Sequence, residues 1–179
     1  MSSGNQSPEQ NEPKPEAVLD KVKYEHFMRQ VRNDQSLALG AGAGIVAAVV
    51  GAALWAGITY ATGWQAGIIA VGIGFLVGYA VRSFGRGVDR SFGIIGAVLA
   101  LGGCLAGNLL VACVSIAEYQ DVGLGSVIGT LDLELIVGIM KETFHPMDLL
   151  FYGIAVYEGY KLSFRQLTED ELRGVMRPA

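Results

Sequence analysis

The sequence predicts an all-α, polytopic membrane protein: a glycine-rich bundle of four transmembrane helices with an amphipathic extracytoplasmic segment between the third and the fourth. Three observations predict it. Residues 35–81 contain no Asp, Glu, Lys or Arg. Such a run is too long for one helix across a hydrocarbon core of roughly 30 Å, which takes about 20 residues, and suits two. Residues 91–117 form a second charge-free run, and a shorter apolar stretch lies at 149–157. Glycine supplies 25 of 179 residues and charged residues only 17%, a composition that fits helices packed in lipid better than a soluble core. The net charge of −4, without a basic cluster, excludes a sequence-independent grip on nucleic acid.

Residues 1–17 are Ser, Asn, Gln, Glu and Pro, with Pro8, Pro13 and Pro15 interrupting any helix. They cannot bury enough apolar surface to order themselves and form a disordered cytoplasmic tail. Over 18–35 the pattern becomes helical: Tyr24, Phe27, Met28 and Val31 recur at helical spacing among Lys21, Lys23, Arg29 and Arg32. This is an amphipathic juxtamembrane helix, either a basic flank that sets topology or a stripe that docks on a partner or on anionic lipid.

The first span covers about 36–60 and the second about 64–81, joined by a tight turn at Ala61, Thr62 and Gly63. Trp55, Tyr60 and Trp64 fall near that turn, where amphipathic rings favour the membrane–water boundary. Gly40 and Gly44, and again Gly74 and Gly78, are four apart, so each pair lies on one helix face and admits a neighbouring backbone. The run from Gly40 to Gly44 resembles a phosphate-cradling loop only superficially, because no strand precedes it.

Residues 82–90 form a polar loop carrying Arg82, Arg86 and Arg90. The third span, about 92–116, carries Gly103 and Gly107 at the same spacing, and Asn108, which hydrogen-bonds across to a neighbouring helix. Cys104 and Cys113 are nine apart and so lie on opposite sides of that helix as small buried residues. In 118–148, Ile128, Leu131, Leu135 and Ile139 form one helical stripe on an amphipathic helix. His145 and Pro146 stop it and start the next helix. With only His26 elsewhere, His145 gives no metal set.

The fourth span, about 147–164, holds Glu158. Twelve residues after Pro146, it lies roughly 18 Å into a core of about 30 Å, where an acid is costly. Lys161 or Arg82 can neutralise it; otherwise it is an intramembrane proton or cation site, with Asn108 too far along the bundle to partner it. Residues 166–179 form a cytoplasmic tail in which Thr168 caps a short helix.

Twelve of the thirteen cations fall before the first span, between the second and third, or from Lys161 near the end of the fourth onward; only Lys141 falls on the other side. By the positive-inside rule both termini are cytoplasmic, and the number of spans is even.

Three stretches, 74–89 (GFLVGYAVRSFGRGVD), 93–101 (GIIGAVLAL) and 147–161 (MDLLFYGIAVYEGYK), resemble a group of uncharacterised bacterial small multi-pass inner-membrane proteins. The likeness covers about 36–165 and implies the same four-span topology. Some relatives carry an N-terminal zinc ribbon, for which this chain has no Cys pair.

No acid, base and nucleophile converge, and no cofactor or metal is implied. The expected role is non-enzymatic: binding partners or organising a complex in the bacterial inner membrane, beside a membrane-protein partner or in a homo-oligomer. The alternative is a small homo-oligomeric transporter or channel that uses Glu158.

Overall fold

The computed structural model describes residues 18–19, 21–63, 67–174 and 176–177. The expected tail 1–17 and Trp64 lie outside the described residues. The chain divides into two compact units, one from residues 1–30 with 167–179, the other from 31–166. In the first unit, β1 (Val18–Leu19) pairs antiparallel with β2 (Met176–Arg177). It also holds most of α1 (Lys21–Asn33) and α8 (Glu169–Arg173). The sequence reading extended the helix to residue 18. A two-residue ladder whose partner is more than 150 residues away carries no local period, so it was illegible there. Thr168 does precede α8, and its backbone N–H donates to Glu171 Oε2 at 2.9 Å, half of a capping box.

In the second unit, three helices are long and apolar enough to cross a membrane: α2 (Leu37–Thr62), α3 (Ile68–Gly85) and α4 (Arg90–Tyr119). Ser36 caps α2 by accepting from the Leu39 N–H, and Gly63 ends it in the left-handed region at φ 66°. The helices run further than the sequence reading placed them. Thr62 is still helical, Arg82 belongs to α3, Arg90 opens α4, and only 86–89 of the expected polar loop is irregular. α5 (Leu124–Gly129), α6 (Leu133–Thr143) and α7 (Pro146–Leu162) complete the unit.

The single amphipathic helix expected around 128–139 is therefore two. Asp132 breaks it: its carboxylate accepts the Leu135 N–H at 2.7 Å and starts α6, so Ile128 and Leu135 do not share a helix. His145 and Pro146 act as expected, with Asp148 Oδ2 accepting the His145 backbone N–H at 2.8 Å.

α2, α3, α4 and α7 pack as a bundle, with α7 lying against both α3 and α4. Its seams are made of small residues, which let the helix backbones approach closely. All six expected packing glycines are buried. A Cβ on Gly40 would stand 3.1 Å from the Gly85 Cα, and one on Gly44 would meet Leu99 and Val81. One on Gly74 would fall on the backbone of Ala155; one on Gly78 would meet Leu162 and the Glu158 carbonyl. On α4, Gly103 faces Ala48 and Ile73, and Gly107 receives the ring of Trp55.

Trp55 corrects the boundary reading: it is 1% exposed and sits in the core, edge-on to Tyr152 at 6.4 Å. Gly107 opens the space that admits it. Tyr60, by contrast, is exposed.

Candidate functional site

At 1.5 Å per residue, α2 and α4 are about 39 and 45 Å long, α3 and α7 only about 27 and 26 Å. At one end all four finish together around the ring of Phe92, which is 2% exposed and lies against Gly40, Gly85 and Gly87. There the polar groups close on one another. The Ser36 N–H donates to the Gly85 carbonyl at 2.9 Å, and the Arg165 N–H to the Gly87 carbonyl at 2.8 Å. The Gln35 amide donates to Asp89 while accepting from the Val88 N–H, and Arg32 lies 3.6 Å from the same carboxylate. This lock joins the chain before α2, the α3–α4 loop and the chain after α7. Sequence reasoning missed it, although Asp89 is the only acid between Asp34 and Glu118 and so marks a position of special use.

The other end is open. Gly67, at the start of α3, lies against Phe151, five residues into α7, and the neighbouring Tyr152 meets Trp55. α2 and α4 run on past it. α5 and α6 fold back along α4: Cys113, Ala117 and Val127 form a small core with Leu109, Ile116 and Leu131. Cys104 points the other way into the main core, as the nine-residue spacing requires. The segment 124–143 thus packs on the bundle rather than standing free of it.

The four residues singled out as a polar site separate into two places. Asn108 is 1% exposed, and its Nδ2 donates to Thr143 Oγ1 at 3.1 Å, the expected cross-helix bond. It lines a cavity of about 370 Å³ with Ser115 and Glu142. Glu158 lies far from it: Gly159 packs on Gly96, twelve residues or about 18 Å before Asn108 along α4. α7 ends at Leu162, so Glu158 is about 6 Å from that end rather than near mid-helix. It is half-buried, and among the described residues it forms no ion pair with Lys161 or Arg82. Arg82 instead donates to Gln166 Oε1 at 3.4 Å, and Lys161 Nζ stands 5.6 Å from the Tyr157 ring centroid.

On α1, Val31 is buried and Tyr24, Phe27 and Met28 are half-buried. A second seam escaped the sequence reading: Gly159 on α7 and Ser163 just after it meet Gly96 and Ala100 on α4. Their four-residue spacing was the available signal. No protein-family model matches this chain, and no curated protein or solved structure matches it either.

Proposed function

We propose that this chain is a non-enzymatic protein of the bacterial inner membrane that crosses it four times, with both termini cytoplasmic, and organises a complex by docking a partner's transmembrane helix. The segregation of twelve cations from Lys141 supports the orientation. The similar lengths of α3 and α7, about 27 and 26 Å, support α7 as the fourth span.

The observation that carries the docking role is a lipid-facing groove of about 540 Å³ between α2 and α3, lined by Ala38, Gly42, Val46, Leu76, Ala80 and Phe84. The six paired glycines are consumed inside the chain, so they offer a partner nothing. Gly42 is different: a Cβ there meets no atom within 4 Å, and with Ala38 it makes a small-xxx-small pair facing outward. A partner helix can approach such a face closely, which is how helices associate in lipid.

The test is native mass analysis of the complex purified in mild detergent from its own membranes. A stoichiometric membrane-protein partner is expected, and Gly42→Leu should release it while leaving the thermal transition unchanged. A partner retained by Gly42→Leu would overturn the groove assignment. A homo-oligomer without a foreign protein would move the assignment to ion transport through Glu158.

A further inference from the structure

Past Trp55, where α3 has ended, α2 and α4 flank an open groove of about 620 Å³. Its walls are apolar, from Ala53 and Ala56 on α2 and Leu110 and Val114 on α4; its polar groups are Tyr60, Glu118 and Asp121. A smaller adjoining pocket of about 230 Å³ shares Tyr60 and Glu118 and holds Thr59, whose Oγ1 is buried and has no partner among the described residues. The volume of the larger pocket, about 620 Å³, is that of a small-molecule site, which typically spans roughly 300–1,000 Å³ and combines apolar walls with a few convergent polar groups.

The charge of the site is one-sided. Among the described residues no Lys or Arg lines either pocket, and neither Glu118 nor Asp121 forms an ion pair. Residues 118–148 carry six acids, Glu118, Asp121, Asp132, Glu134, Glu142 and Asp148, against Lys141 alone. An excess of one sign around a low-dielectric cleft raises the local concentration of the opposite charge.

We infer that this groove binds an amphipathic organic cation from solution, its apolar body between α2 and α4 and its charge between Glu118 and Asp121. A bare inorganic cation would leave the apolar walls unused, and a neutral apolar molecule would leave the carboxylates unused. A phospholipid would bring a phosphate into a site with no basic residue to receive it. Tyr60 adds a ring face on which an organic cation can rest. The site lies at the opposite end of α2 from Gly42 and stands independently of the complex-organising role.

The test uses the full chain purified in a nonionic detergent. Tetraphenylphosphonium is the probe, and tetraphenylborate, of the same shape and opposite charge, is its control. Calorimetry should show phosphonium binding and no borate binding. The double variant Glu118→Gln/Asp121→Asn should weaken phosphonium binding at least tenfold, whereas Glu134→Gln, an exposed acid outside the groove, should leave it unchanged. Equal binding of the two probes, full affinity in the double variant, or an equal loss in Glu134→Gln would overturn the inference. So would loss of phosphonium binding on adding phosphatidylethanolamine, which would make the occupant a lipid.

Discussion

The two ends of the bundle are built from the same kinds of residue and reach opposite results. At the Phe92 end, four helices finish together, glycines close on an aromatic ring, Gln35 donates to Asp89, and the Ser36 and Arg165 N–H groups donate to the Gly85 and Gly87 carbonyls. At the Trp55 end, α2 and α4 outrun α3, leaving pockets of about 620 and 230 Å³ between them, whereas the groove of about 540 Å³ near the Phe92 end lies on the outer face of α2 and α3 and leaves the bundle interior closed. Composition does not separate the ends; relative helix length does. Closure needs every helix to reach the same level and a loop short enough to bind the ends together. Where α3 stops early, the space it vacates is available to a ligand.

The strongest way to break this comparison is at the closed seam. Gly74→Val places a branched side chain on the Ala155 backbone, and backbone, unlike the tip of a flexible side chain, has little room to give. Overpacking typically costs about 1–3 kcal/mol and occasionally more. With helix against helix the expected loss is at the upper end, about 3 kcal/mol, read as a much lower midpoint of thermal unfolding in detergent. A Gly74→Val protein that melts with the wild type would mean that α7 does not depend on close approach to α3.

A smaller effect should mark the boundary between the two regions. Asn108→Leu keeps the volume and removes the bond to Thr143, whose hydroxyl still donates to the Ile139 carbonyl at 2.9 Å and is not orphaned. Such bonds within lipid are worth about 0.6–1.7 kcal/mol. Faster hydrogen exchange is expected over 133–143, with 37–56 unchanged. Uniform acceleration throughout would show that α6 is part of the closed region.

Much of this was legible beforehand, for reasons tied to particular residues. The charge-free runs revealed α2, α3 and α4, because insertion in lipid tolerates almost no charge along a span. The spacings Gly40–Gly44, Gly74–Gly78 and Gly103–Gly107 revealed the seams, because a period of four maps directly onto one helix face. Asn108 was legible as a cross-helix donor, though not its partner, since pairing with Thr143 depends on α6 folding back. Trp55 misled because its distance along the chain from a turn says nothing about which way its ring points. The break at Asp132 was hidden within an apparent stripe, its cap visible only once Leu135 was known to need one. The open end was illegible altogether: it arises from where α3 begins relative to α2 and α4, a matter of register between distant segments.

The smallest expected effect has the opposite sign and tests the open end directly. Gly57 lies on α2 past Trp55, and a Cβ added there meets no atom within 4 Å. Glycine within a helix costs about 0.5–1 kcal/mol relative to alanine, because the unfolded chain has more freedom to lose. At Gly74 packing outweighs that cost; at Gly57 nothing opposes its recovery. Gly57→Ala should therefore raise the unfolding midpoint slightly, by a stabilisation of about 0.5–1 kcal/mol. A destabilised Gly57→Ala would mean that α2 and α4 close on each other past Trp55, so that the two ends differ less than the helix lengths indicate.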